Sequence, residues 1–262
     1  MAACLIVGAG PGLGSALARR FGAGGFRLGL ISRKAEGLNA LVAELGSAGH
    51  EATGETADAG DPQALGAALE AIQARLGSAA VLIYNAALLR PGGPLELSPD
   101  RLAEEFGVNV QGALVAAQAV VPAMRDRGRG TILFTGGGLA LEPYPAYASL
   151  ALGKAALRSL AFSLHKELAA DGIHVAVVAI CGIVEPGGPF DPDRIAEHYW
   201  RLHAAPRGVE DRELIYQPPG SDPYYNDPER RYADVTRPPL HVKSGGVMSG
   251  GVMPGGQGTE CP

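Results

Sequence analysis

Short runs of aliphatic residues recur along the first 180 positions, and between them lie longer stretches where apolar residues return every three or four places. The runs Leu5–Val7, Arg27–Ile31, roughly Glu51–Glu55, Val81–Tyr84, Thr131–Phe134 and His174–Ile180 predict strands. Most lack a polar alternation, as expected of strands covered by helices on both faces of a parallel sheet. Leu65, Leu69, Ile72 and Leu76 recur at intervals of 4, 3 and 4, which puts them on one face of a helix starting near Asp61–Pro62. Leu38, Leu41, Val42 and Leu45 repeat the pattern in the preceding unit. Strand–helix alternation of this kind implies right-handed crossovers and an α/β fold built on a doubly wound parallel sheet. Past Gly182 the character changes. Asp191 to His203 predicts one helix, with Ile195, Tyr199 and Leu202 as its apolar stripe.

From Gln217 onward Pro, Gly and Tyr dominate, and Ser-Gly-Gly-Val-Met at 244–248 repeats at 249–253. This predicts one domain over 1–216 and a Pro/Gly-rich C-terminal tail over 217–262, flexible at its end, with an oligomer arm or a substrate lid as its functional reading. The length of 262 residues and the shares of 47% hydrophobic and 19% charged residues fit a globular chain with a sizeable core. A net charge of −5 argues against a nucleic-acid partner. Cys4, Cys181 and Cys261 lie too far apart in sequence to suggest a metal-type pair, so a reduced, cytoplasmic setting is expected. No run of about 18 apolar residues appears, so neither a transmembrane helix nor a membrane partner is expected. The apolar start Ala2–Val7 lacks a basic flank and is cut short by glycine at 8, so it reads as a strand and a turn rather than a signal peptide, with the fold expected to begin almost at residue 1.

The first strand runs into Gly8-Ala9-Gly10-Pro11-Gly12-Leu13-Gly14 and then into a segment of helical character. A strand, a glycine-rich turn and a helix N-terminus make an anion site, because free backbone N–H groups and the positive end of the helix dipole face a pyrophosphate. The spacing G-x-G-x-x-G fails, since it needs glycine at 13 or 15; G-x-x-x-G-x-G fits through Gly8, Gly12 and Gly14. A purely structural turn stays open as the alternative. About twenty residues on stands Ile31-Ser32-Arg33-Lys34, with no acid until Glu36. A carboxylate there would suit the ribose hydroxyl of NAD, whereas Arg33 and Lys34 suit an additional phosphate. NADP(H) is therefore expected over NAD(H) and FAD, unless the two side chains are ordinary exposed charges.

With these features the sequence resembles the short-chain dehydrogenase/reductase family over about residues 3–184. The resemblance implies a Rossmann-type domain in which Gly8, Gly12, Leu13 and Gly14 belong to the cofactor turn. Asp58, in Thr-Ala-Asp-Ala, would contact the adenine, and Asn85-Ala86-Ala87 matches the family's Asn-Ala-Gly element with its glycine replaced. Asn109, in Val-Asn-Val-Gln-Gly, matches the helix asparagine of the catalytic tetrad; the segment from Gly153 to Leu168 matches the helix of the catalytic lysine, Lys154. Ile183, after Cys181-Gly182, falls near the nicotinamide and counts as cofactor-binding. The implied chemistry is hydride transfer between nicotinamide and a carbonyl or alcohol carbon, with a tyrosine moving the proton, a lysine lowering its pKa and a serine holding the oxygen.

Two tetrad positions depart from the family. The tyrosine place, four before Lys154, holds Leu150, and the serine place falls on Gly137 within Gly136-Gly137-Gly138. Tyr147 is the candidate replacement, seven residues before Lys154 and about 10.5 Å from it along an ideal helix. A half-buried packing role for Tyr147 stays open, as does proton delivery by water or substrate with Asn109 and Lys154 as the relay. Tyr144, in the preceding loop, is a weaker candidate for the missing tyrosine, and Thr135 is the nearest hydroxyl to the lost serine. The triple glycine leaves room for a bulky group or bares backbone N–H donors. The expectation is an NADP(H)-dependent oxidoreductase of a small carbonyl or alcohol substrate; the alternative is a catalytically silent NADP(H)-binding scaffold or redox sensor. The resemblance also implies a homodimer or homotetramer packed through 100–127 and 145–170, and substrate loops around Leu88–Leu97 and Glu185–Tyr216.

Overall fold

Burial follows the apolar runs. The strands β1 (Ala3–Val7) and β6 (Ile173–Ile180) are buried along their whole length, which only a sheet covered on both faces can provide. The computed structural model describes residues 1–206, 211–219 and 221. Five further strands complete the sheet: β2 (Arg27–Ser32), β3 (Ala52–Thr56), β4 (Ala79–Tyr84), β5 (Gly130–Thr135) and β7 (Glu213–Tyr216). All pair in parallel in the order β3-β2-β1-β4-β5-β6-β7. The order reverses between β1 and β4, where such a fold opens a crevice at the carboxyl ends of its strands.

The connections are helical: α1 (Leu13–Ala23), α2 (Ala35–Ser47), α3 (Pro62–Leu76), α4 (Pro99–Phe106), α5 (Gly112–Asp126), α6 (Ala148–Leu168) and α7 (Pro192–Ala204). The expected start of α3 holds for a physical reason, since the Asp61 carboxylate accepts from the backbone N–H groups of Gln63 and Ala64 and Pro62 needs no partner. Asp191 and Pro192 open α7 in the same manner. Leu65, Leu69, Ile72 and Leu76 join one core layer with α5 and α6, while Leu38, Leu41, Leu45, Ile195, Tyr199 and Leu202 join the other with α1.

Three features go beyond what the residue pattern predicts. Strand β7 is short, lies at the sheet edge and is tied to α6 by a bidentate Arg158–Glu213 pair at 2.6 and 2.7 Å. Residues Gly107–Gln111 form a π-helical turn that joins α4 to α5. The resulting helix over 99–126 is long and apolar enough to cross a membrane, but Ala113, Ala117, Val120 and Met124 are buried in the protein core. The expected C-terminal tail lies, except for 217–219 and 221, outside the described residues.

Candidate active site

The turn after β1 has the form a pyrophosphate needs. Gly8 takes φ of 89°, and a Cβ there would lie 2.5 Å from the Ala86 nitrogen, so only glycine lets β1 end against the strand beside it. A Cβ on Gly14 would lie 2.5 Å from the Gly8 carbonyl oxygen, so α1 starts directly behind the turn. Gly12 precedes α1 without a side-chain cap, and Leu13 is its buried first residue. The Ser15 and Ala16 N–H groups donate to the Gly10 and Gly12 carbonyls, so it is the N–H groups of Leu13 and Gly14 that this helix end leaves to an anion. No side chain stands over Gly10 or Gly12 within 4 Å of an added Cβ.

In front of the turn a cleft of about 480 Å³ is walled by Gly8 to Pro11, by Ile31 to Lys34, and by Ala57, Asn85, Ala86 and Val108. Arg33 and Lys34 are both exposed and reach its rim, where Glu36 also contributes. Arg33 further lines an adjoining cavity of about 380 Å³ with Asp58 and Gln111. The Asp58 carboxylate accepts from the Gly60 N–H at 2.8 Å, which fixes it at the end of β3. The glycine turn, Arg33, Lys34, Asp58, Asn85 and Ala86 are thus brought together along one crevice.

The groups beside this cleft form one connected network. Asn85 donates from Nδ2 to the Gly8 carbonyl at 2.9 Å, which leaves its Oδ1 as the acceptor for Thr135 Oγ1 at 2.9 Å. Tyr199, from α7, reaches the same Thr135 hydroxyl at 2.7 Å. Lys154, only 7% exposed, donates from Nζ to the Thr135 carbonyl at 2.6 Å. Burial lowers the Lys154 ammonium to a pKa of about 8. Thr135 therefore does not stand in for the missing serine, because its hydroxyl is occupied from both sides.

Asn109 is 1% exposed and lies in the π-turn against α6, where a Cβ on Gly153 would come within 2.9 Å of it. Its amide accepts from the Leu88 N–H at 2.8 Å and donates to the Leu88 carbonyl at 3.2 Å, so it pins the loop after β4. Leu150 and Lys154 do share a turn of α6, and Leu150 is 5% exposed. A Cβ at Gly137 would meet the Lys154 stem at 3.7 Å, which puts the vacant serine place next to the lysine. Tyr147 precedes α6 with φ of −130°, so the ideal-helix separation from Lys154 does not apply. It is half-buried, its ring lies 6.0 Å from that of Tyr144, and its hydroxyl has no hydrogen bond among the described residues. Its backbone bridges to Gly92, which ties the loop after β4 to the start of α6. Ile183 is 61% exposed just past β6, on the same end of the sheet. Cys181 is buried, and burial raises its thiol to about 11, with Glu213 adding to the shift, so it stays protonated.

Nothing in the residue pattern marks Tyr199 as a polar participant. A tyrosine within an apolar stripe reads as packing, and spacing does not show where its hydroxyl ends. A larger cavity of about 650 Å³, with Arg127, His174 and His203 in its wall, lies at the opposite ends of the strands. Its position excludes it from the crevice at the carboxyl ends, where this sheet order places a nucleotide.

Known proteins match both the sequence and this geometry. A family model described as short chain dehydrogenase matches residues 2–187. The chain is 31% identical over 205 residues to 2,3-dihydro-2,3-dihydroxybenzoate dehydrogenase of Bacillus subtilis (strain 168), covering 78% of this chain and 74% of that one. It is 33% identical over 205 residues to the oxidoreductase UcpA of Escherichia coli (strain K12), covering 73% and 76%. Among solved structures, a metagenomic short-chain oxidoreductase in complex with NADP matches with a TM-score of 0.77, 29% identity and coverage of 83% and 97%. A short-chain dehydrogenase from Rhodopseudomonas palustris matches with a TM-score of 0.76, 28% identity and coverage of 83% and 98%.

Proposed function

Because the chain belongs to the short-chain dehydrogenase/reductase family, and is thereby an NAD(P)-dependent oxidoreductase of CH–OH and C=O groups, we propose that it prefers NADP(H) and works without the family's usual tyrosine. The observation that carries the cofactor preference is Arg33 and Lys34 on the rim of the cleft in front of the Gly8–Gly14 turn. The metagenomic oxidoreductase solved in complex with NADP, which shares this fold, lends it support.

The residues present fit the nucleotide. The turn offers backbone N–H groups to the pyrophosphate, Arg33 can grip a 2′-phosphate with two parallel hydrogen bonds, and Asp58 stands beside it for the adenine. Asn85, Ala86 and Ile183 flank the half nearer to Lys154. When bound, the nicotinamide supplies or takes up the hydride. Lys154 would supply a positive charge to that half of the site, and Gly137 leaves space for a substrate next to the lysine stem. Tyr147 moves the proton, with Asn109 holding the wall of the pocket through Leu88. The substrate is a small carbonyl or alcohol compound, and its pocket is bounded by the loops after β4 and β6. We also propose a homodimer or homotetramer, supported by the exposed Leu114 on α5 and Leu152 on α6.

Titration of the protein with NADPH and NADH tests the preference directly. Arg33→Ala is expected to weaken NADPH by about 10–100-fold, the worth of hydrogen bonds to a charged group, while NADH changes little. A wild type that binds NADH more tightly overturns the assignment. A panel of small ketones and aldehydes with NADPH tests turnover. Tyr147→Phe is expected to slow it by about 10²-fold, the lower end of what a general acid contributes, because Tyr147 lies outside the helix that carries Lys154. Unchanged rates in Tyr147→Phe would remove the residue from the mechanism. Absence of turnover across the panel, with NADPH still bound, would favour the silent scaffold.

A further inference from the structure

Helix α7 is remote in sequence from every residue of the nucleotide cleft, yet one of its side chains ends inside the network that supports it. Tyr199 is fully buried, and its hydroxyl lies 2.7 Å from Thr135 Oγ1. The direction of each bond is fixed from the far end. The Gly8 carbonyl can only accept, so Asn85 presents Nδ2 to it and Oδ1 to Thr135. Thr135 must therefore give its one hydroxyl hydrogen to Asn85. With that hydrogen committed, the Tyr199 hydroxyl is the donor to Thr135. The result is a one-way chain, Tyr199 to Thr135 to Asn85 to Gly8, in which each bond orients the next donor.

The same threonine supports the other half of the site, since its carbonyl accepts from Lys154 at 2.6 Å. Thr135 is thus the residue at which the pyrophosphate turn and the lysine meet. Deleting the phenolic hydroxyl removes the donor that helps hold the Thr135 rotamer, so the bond from Thr135 Oγ1 to Asn85 Oδ1, one of the two that fix that amide, is set less firmly. Burial raises the Tyr199 pKa far above neutrality, so the donor keeps its proton over the working pH range.

We propose that Tyr199 is a positioning residue for the nicotinamide half of the cofactor, acting through Thr135 on Asn85. The proposal rests on the dinucleotide reading above. Its test compares two probes, NADPH and 2′,5′-ADP, which carries the adenosine and the 2′-phosphate but no nicotinamide. The wild type is titrated with both first. A wild type that takes up neither probe overturns the functional reading and this proposal with it. Given wild-type binding, Tyr199→Phe is expected to weaken NADPH by about 3–10-fold, as the loss of one neutral hydrogen bond does, and to leave 2′,5′-ADP within about twofold. Thr135→Val, which breaks both bonds, is expected to weaken NADPH by about 30-fold or more, and Thr135→Ser to restore it to within about threefold. Equal losses for the two probes would mark Tyr199 as a packing residue and overturn the proposal. Unchanged NADPH affinity in Tyr199→Phe would do the same, whatever Thr135→Val shows. If Tyr199→Phe fails to fold, Thr135→Val decides through the two probes: a loss confined to NADPH supports the proposal, and equal losses of NADPH and 2′,5′-ADP overturn it.

Discussion

A Leu150→Tyr variant is expected to turn over a carbonyl substrate up to about 10²-fold faster than the wild type, the part of a general acid's range of about 10²–10⁴-fold that the contribution of Tyr147 leaves open. Leu150 and Lys154 are four apart on α6, so their Cβ atoms are neighbours on one helix face. A phenol at 150 would have the lysine charge beside it, which favours the phenolate and moves its pKa toward neutrality. Room is the opposing consideration. Leu150 is buried, and overfilling a packed place costs about 1–3 kcal/mol. Of the three glycines at 136–138, Gly136 and Gly138 are closed off by Val177 and Cys181, but Gly137 has room beside the Lys154 stem, and Gly137→Ser there would complete the set. NADPH oxidation by the single and double variants measures the gain. It should be largest below about pH 8, where Lys154 is charged, and decline above it. A variant that folds, binds NADPH and gains nothing would show that position 150 does not face the reacting carbon.

Lys154→Met should separate stability from activity. Burial lowers the lysine pKa from 10.5 to about 8, and at 1.36 kcal/mol per unit this corresponds to a folding penalty of about 3 kcal/mol. The unfolded chain binds the proton more tightly than the folded one, so stability rises with pH between about 8 and 10.5. Below about 8 both states are protonated and the penalty is present in full. Methionine keeps the stem and removes the charge, but it leaves the Thr135 carbonyl without its partner, which costs about 1–3 kcal/mol. The variant is therefore expected to be more stable than the wild type by about 0–2 kcal/mol at pH 7, with the advantage gone near pH 10. Turnover should fall by about 10²–10³-fold, as when one electrostatic donor is removed from an active site. Denaturant melts at both pH values and steady-state rates check the two halves separately. A variant less stable at pH 7 than at pH 10, relative to wild type, contradicts the burial argument.

Most of the sheet is legible in the sequence because a covered parallel strand announces itself as an unbroken apolar run. β6 is the clearest case, and the α3 start is legible because Asp61-Pro62 is a capping signal with a mechanism. Strand β7 escapes because Glu213–Tyr216 is short and sits at an edge, held partly by its pair with Arg158 rather than by its own pattern. The π-turn escapes because Gly107–Gln111 has no composition that separates it from ordinary helix. At the site, the glycine turn and the Arg33-Lys34 pair are legible because backbone geometry and charge type are written locally. Thr135 and Asn109 are visible as candidates, but their partners, Tyr199 and Leu88, are distant in sequence and no periodicity points to them.

The strand order also sets a schedule for how the chain acquires its shape. β1 lies between β2 and β4, so one flank can pair once residue 32 has been made while the other waits for residue 84. Pairings across such gaps carry a large loop-closure cost, and folds dominated by them cross their rate-limiting barrier slowly. During synthesis at about 5–20 residues per second, the apolar flank of β1 facing its later neighbour stays open for seconds. Chaperone dependence of newly made chains should accordingly be greatest before β4 emerges.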